Sequence, residues 1–130
     1  MLQSLRKLIL ISLLLLNNTE VLAQSQIYIF VSFSMNDQAL KSYYLEAQKI
    51  GAILVMRGLK DNSFFETKVK VDKLAINFNI DSNLFEQYQI TSVPAIIVDD
   101  GQGRIKKLTG HIALLKAMEI MEENIGENSS

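Results

Sequence analysis

Two short apolar runs constrain this chain more than any other feature. Gln26 to Phe33 (QIYIFVSF) and Ala52 to Met56 (AILVM) are rich in β-branched and aromatic residues and nearly continuous in their apolarity. That pattern suits strands covered on both faces. Between them Leu40, Tyr43, Ala47 and Ile50 recur at helical spacing. Asn36 or Asp37 can cap the start of that helix, and Gly51 closes it. Strand, helix and strand in this order form a β-α-β unit, whose crossover is parallel and right-handed.

The remainder reads as a second half of different connectivity. After Arg57-Gly58-Leu59 a polar loop runs through Asn62-Ser63, and the pattern predicts a helix over Phe64 to Asn77. Its apolar side is Phe65, Val69 and either Leu74 or Ile76. Asp81-Ser82 caps a short helical turn ending near Tyr88. Ala95 to Val98 and Arg104 to Leu108 are strands, joined by an Asp99–Gly103 turn whose Asp-Gly chemistry makes them antiparallel. Gly110 precedes a last helix with Ile112, Leu115, Met118, Met121 and Ile125 directed at the core. The expected class is α/β: a β-α-β half followed by a β-β-α half, giving a mixed four-stranded sheet with helices on both faces. This is a thioredoxin-like arrangement.

The first residues stand apart from that domain. Arg6 and Lys7 precede a nine-residue apolar run, Leu8 to Leu16, too short to cross a bilayer as a helix. Val21-Leu22-Ala23 then places small residues before Gln24, which is the order of a secretory signal with cleavage after Ala23. The expected organisation is a signal peptide over 1–23, one domain over 24–125 and a frayed tail over 126–130. A single domain of this size can bury a core of its own. No stable membrane span is expected after cleavage.

Composition excludes several chemistries. There are 13 Lys and Arg against 14 Asp and Glu, so nothing in the net charge of −1 draws the chain to nucleic acid or anionic lipid. There is no cysteine, which removes thiol redox chemistry, disulfides and thiolate metal sites. With one histidine a multi-histidine metal site within one chain is also excluded. Neither cofactor nor metal is expected.

The only proline, Pro94, opens a strand in Ile90-Thr91-Ser92-Val93-Pro94-Ala95-Ile96-Ile97-Val98. Local sequence fits an ordinary trans proline at a strand start as well as a cis one. The segment resembles the Val-Pro strand of thioredoxin-like proteins, in which the proline is cis and faces the start of the first helix, where CxxC lies. The matching place here is Phe33 to Gln38, and neither cysteine is present. A thiol–disulfide exchange needs a thiolate, so the resemblance implies a redox-dead thioredoxin fold.

A narrower resemblance follows from Phe30-Val31-Ser32-Phe33-Ser34-Met35, Gly51 to Leu59 with its "RGL", Phe85, Val93-Pro94-Ala95 and the helix after Gly110. Together, over about residues 26–122, these resemble the TrbC family, exported pilin-assembly proteins of F-type conjugative transfer systems. Asn36 departs from the proline expected there in many relatives. The resemblance implies a non-catalytic periplasmic assembly factor for an F-type conjugative pilus and its type IV secretion system. TraW-type periplasmic proteins are the implied partners and pilin a further one.

Other readings of the same residues compete with this one. Ser34 and His111 are the one Ser/His pair for a hydrolase, but the expected fold separates them. Asp99 and Asp100 could be paired carboxylates, although Asp-Asp-Gly between strands is usually a turn. Gly101-x-Gly103 lies in a hairpin, not before a helix, and so is no phosphate loop. Arg57 fits either an acidic partner or a solvated strand end. Tyr44, Phe64 and Met35 are apolar residues that the core pattern does not require. In redox-active relatives the backbone beside the cis proline pairs with an extended substrate. The expected partner-binding set is therefore Ser34, Met35, Asn36, Asp37, Arg57, Val93 and Pro94. A general chaperone-like peptide binder is the first alternative, and a Ser34-dependent hydrolase the second.

Overall fold

The computed structural model describes residues 25–128. The predicted signal peptide and its cleavage site lie outside the described residues, as do 129 and 130. Strand β1 (Gln26–Val31), helix α1 (Asp37–Ile50) and strand β2 (Ile53–Met56) form the β-α-β unit, with β1 and β2 parallel and Phe30 beside Val55. The Asn36 side chain accepts the Ala39 N–H at 2.7 Å and caps α1. Gly51 ends it in the left-handed region at φ 69°, where a residue without Cβ carries no steric cost.

Strand β4 (Ala95–Asp99) lies antiparallel on the other side of β1, and β5 (Ile105–Thr109) pairs antiparallel with β4. Asp100 builds the hairpin turn: one carboxylate oxygen accepts the N–H groups of Gln102 (2.8 Å) and Arg104 (3.1 Å). Asp99 likewise accepts from Gly101 at 2.9 Å, so this pair of carboxylates is taken up by the turn. The sheet has one strand more than expected. Asn79–Ile80 forms a short β3 beside β2, giving the order β3-β2-β1-β4-β5.

That extra strand comes from the segment expected to be helical. Helix α2 (Phe64–Leu74) stops three residues early because Ala75 turns left-handed at φ 51°, and the chain after it runs extended into β3. Ile76 is buried in that extended stretch, outside the helix. The expected apolar side of α2 is also corrected: Phe65 is 73% exposed and Val69 about half exposed, whereas Thr67 is buried. Thr67 can face inward because its hydroxyl donates to the Ser63 carbonyl (2.7 Å) and accepts the Lys60 N–H (2.9 Å). A short helix with polar anchoring at one end need not bury its longest apolar residues.

Two cores form, one on each face of the sheet. On one face Ile29, Val31, Leu54 and Ile96 pack against Leu40, Tyr43 and Ala47 of α1, and against Leu114 and Met118 of the last helix, α4 (His111–Asn128). On the other face Phe30, Val55, Ala95 and Ile97 pack against Phe85 of helix α3 (Ser82–Gln87), and against Tyr88 and Ile90. Phe30 and Phe85 meet edge to face at 4.9 Å between ring centroids, a favoured aromatic geometry. Helices therefore cover both faces, as expected.

The register of α4 differs from expectation. Leu114 and Met118 are buried and Met121 is half-buried, but Ile112 is 75% exposed and Leu115 is exposed. Both residue sets satisfy helical spacing, and only the docking angle on α1 decides between them. The side chain of Ile125 lies outside the described residues. Helix α4 continues past the expected domain end at 125. Leu114→Ala should cost about 2–5 kcal/mol through the cavity it leaves. Ile112→Ala should stay within about 0.5 kcal/mol. Urea unfolding of both variants checks the register.

Candidate functional site

The chain reverses its strand order around β1. Segment 32–36 leaves the C-terminal end of β1, Arg57 to Asn62 leave the end of β2, and Thr91 to Val93 lead into β4. In open α/β sheets, ligand sites form at the carboxyl ends of strands where the order switches. A cleft of about 770 Å³ lies there, lined by Ser32, Phe33, Ser34, Arg57, Phe85, Ile90 and Val93 among others. Its floor is formed by buried Val31 and Met56 at the strand ends and by buried Phe85 of the second core.

The first rim is a tight turn. Met35 N–H donates to the Ser32 carbonyl at 3.1 Å. Ser34 N–H donates to Ser32 Oγ (3.2 Å), and the two hydroxyls lie 2.9 Å apart. Ser34 lies within the Phe33–Gln38 stretch that the thioredoxin-like resemblance matches to CxxC. The second rim is strained at its tip: Asp61 and Asn62 are both left-handed, at φ 52° and 53°, a conformation Asp and Asn adopt more readily than other side chains. Lys60 pairs with Asp61 at 2.9 Å.

The third rim is backbone. The Val93–Pro94 peptide is cis, the isomer that the thioredoxin-like resemblance implies. Pro94 is buried and its carbonyl accepts the Gly110 N–H at 3.0 Å, which ties the strand start to the head of α4. Thr91, Ser92 and Val93 make no backbone hydrogen bond to any other described residue. Their N–H and C=O groups border the cleft and remain available to a second chain.

Arg57 projects over this space with its Cζ 5.2 Å from the Phe85 ring centroid. One guanidinium N–H donates to the Ile90 carbonyl at 3.5 Å. Contact of this kind is worth about 0.5–1 kcal/mol at an exposed position and holds the group in place. Phe85 is the functional neighbour that sequence patterning does not reveal. It lies far from Arg57 along the chain, and only the packing of α3 beneath β2 brings them together.

The expected partner-binding residues thus divide. Ser34, Arg57 and Val93 share one cleft. Met35 packs against the α1 core, Asn36 caps α1, and Pro94 sits behind Val93. Asp37 is held by Lys70 at 2.6 Å and Lys73 at 3.0 Å, which clamp the head of α1 to α2. His111 is far from Ser34 in role as well as sequence: its Nδ1 is hydrogen-bonded to the Tyr43 hydroxyl, and it does not line the cleft. The structure does not bring together the pair that a serine hydrolase needs. Tyr44 hydrogen-bonds Gln48 at 2.8 Å and Lys41 lies over its ring. Phe64 is 81% exposed beside the second rim.

A mixed sheet in this order, with helices on both faces and a cis proline beside the switch-point cleft, defines a thioredoxin-fold protein without the fold's cysteines. Solved structures agree on the fold. The pneumococcal exposed lipoprotein thioredoxin from Streptococcus pneumoniae superposes with a TM-score of 0.56 at 16% identity, over 78% of this chain and 87% of that one. StoA from Bacillus subtilis superposes with a TM-score of 0.52 at 15% identity, over 74% and 81%. Within that fold, residues 29–121 match the type-F conjugative transfer system pilin assembly protein family, TrbC, and the chain belongs to it. The periplasmic protein TrbC of Escherichia coli K12 is 33% identical over 95 residues. That alignment covers 69% of this chain and 44% of the relative, so the chain spans less than half of that protein's length.

The Asp37 clamp carries a pH signature. Hydrogen bonds from Lys70 and Lys73 hold its carboxyl below the usual value of 3.8. A carboxyl depressed in the folded state binds fewer protons there than in the unfolded state, so its stabilisation is complete above the unfolded pKa. It is lost as pH falls through the folded one. Asp37→Asn should be less stable than the unaltered chain at pH 6, and the gap should close below about pH 4. Urea midpoints across that range check it.

Proposed function

We propose that this chain is a non-catalytic periplasmic assembly factor for an F-type conjugative pilus and its type IV secretion machinery. It acts by holding an extended segment of another transfer protein in the cleft between Ser34, Arg57 and Val93. Family membership supports the assembly role, and the periplasmic relative supports the compartment. Among the described residues no helix is long and apolar enough to cross a membrane.

The observation that carries the mode of action is the open backbone of Thr91 to Val93 at the edge of the cleft. An added strand gains affinity from main-chain hydrogen bonds and specificity from the side-chain pockets beside them. A rim of two serines supplies no thiolate, so the cleft keeps the means of binding a chain and lacks the means of exchanging a disulfide. The partner class is an extended segment of a periplasmic transfer protein, TraW-type proteins first and pilin second.

Cross-linked recovery of the tagged chain from the envelope of its own host tests this. The expected result is one or two transfer proteins at fixed stoichiometry. Val93→Pro removes the paired N–H and should weaken that complex about tenfold, the loss of one or two backbone hydrogen bonds. Recovery of many unrelated exported proteins would favour the general chaperone instead. Full binding by a folded Val93→Pro variant would remove the strand-pairing mode.

A further inference from the structure

Three charged side chains line the cleft, and two of them cancel. Lys60 pairs with Asp61 and lies 4.0 Å from Glu66. Arg57 has no carboxylate within ion-pair distance among the described residues. It lies 5.2 Å from the Phe85 ring centroid and 3.5 Å from the Ile90 carbonyl. A cation–π contact uses none of the guanidinium N–H donors. Of five N–H donors, the Ile90 contact uses one. A cation held by an aromatic ring, solvent-facing and unpaired inside a cleft, is arranged for an anion that arrives with the ligand.

We propose that Arg57 determines the specificity of the cleft by binding the carboxylate of an Asp or Glu side chain on the extended segment held at Val93. This rests on the peptide-binding reading above. The fork geometry of Arg matches two carboxylate oxygens, and one hydroxyl of the hydrogen-bonded Ser32–Ser34 pair in the same cleft is left as a further donor. Ile90, which Arg57 reaches, precedes Val93 by three residues. An extended segment advances about 3.3 Å per residue, so a ligand residue reaching Arg57 belongs to the same short stretch as the one paired with Val93. The site therefore reads one side chain beside a backbone clamp.

Selection of short random peptides, displayed as internal segments without a free C-terminal carboxylate, separates this inference from the reading beneath it. The targets are the full chain and its Arg57→Gln, Arg57→Glu and Val93→Pro variants, each shown to be folded by thermal unfolding. The unaltered chain should enrich Asp or Glu at one position. Changing that residue to its amide should weaken a selected peptide about tenfold. Arg57→Gln should bind the acidic and amide forms equally, and Arg57→Glu should select Lys or Arg at that position. Peptides that depend on Val93 but show no acidic position would overturn the role of Arg57 and leave the cleft reading intact. No enrichment, or the same peptides selected by Val93→Pro, would overturn the cleft reading and the Arg57 assignment with it.

Discussion

Everything in this molecule hangs on β1. It is hydrogen-bonded on both sides, parallel to β2 and antiparallel to β4, and its inner residues Ile29, Phe30 and Val31 are buried. A strand in that position contributes side chains to two cores at once, Ile29 and Val31 to one and Phe30 to the other. The mixed pairing also fixes the cleft. A parallel neighbour sends its chain away at the same end as β1, while an antiparallel neighbour brings its chain in there. Three segments therefore converge on one place because of strand direction, whatever residues they carry.

That distinction separates what the sequence reveals from what it conceals. Continuous apolar runs and a clean 3.6-residue stripe make β1, α1 and β2 legible, down to a cap at Asn36 or Asp37 and the Gly51 stop. Hairpin chemistry does the same for β4 and β5. The hidden parts are those where tertiary contact chooses between equal local options. Helix α4 has two apolar stripes, and docking against α1 buries Leu114 and not Ile112. Helix α2 carries Phe65 and Val69 at plausible core spacing, yet Thr67 turns inward because two backbone groups satisfy its hydroxyl. Strand β3 is too short to leave any periodicity.

The cleft shows the same division. Ser34, Arg57 and Val93 are visible because each follows or precedes a legible strand at the end where chains converge. The pairing of Phe85 with Arg57 is invisible, since no spacing rule connects a strand end with a turn of helix in the other half of the fold. Asp37 misleads in the opposite sense. It follows the first loop in sequence, but the lysines that hold it are on α2, and their position is set by where that helix stops.

Strand β5 has a consequence of a different kind. It closes one side of the sheet, all five of its residues are exposed, and its sequence is Ile105-Lys106-Lys107-Leu108-Thr109. An outer strand presents main-chain groups that any other extended chain can copy, and apolar Ile105 and Leu108 would reward such copying. Edge-to-edge pairing of two molecules would set the lysines of one against those of the other, and like charges across a strand pair repel. The cationic edge thus discriminates by sign: it opposes pairing with the same strand of another copy and leaves the cleft at the C-terminal end of β1 free for traffic.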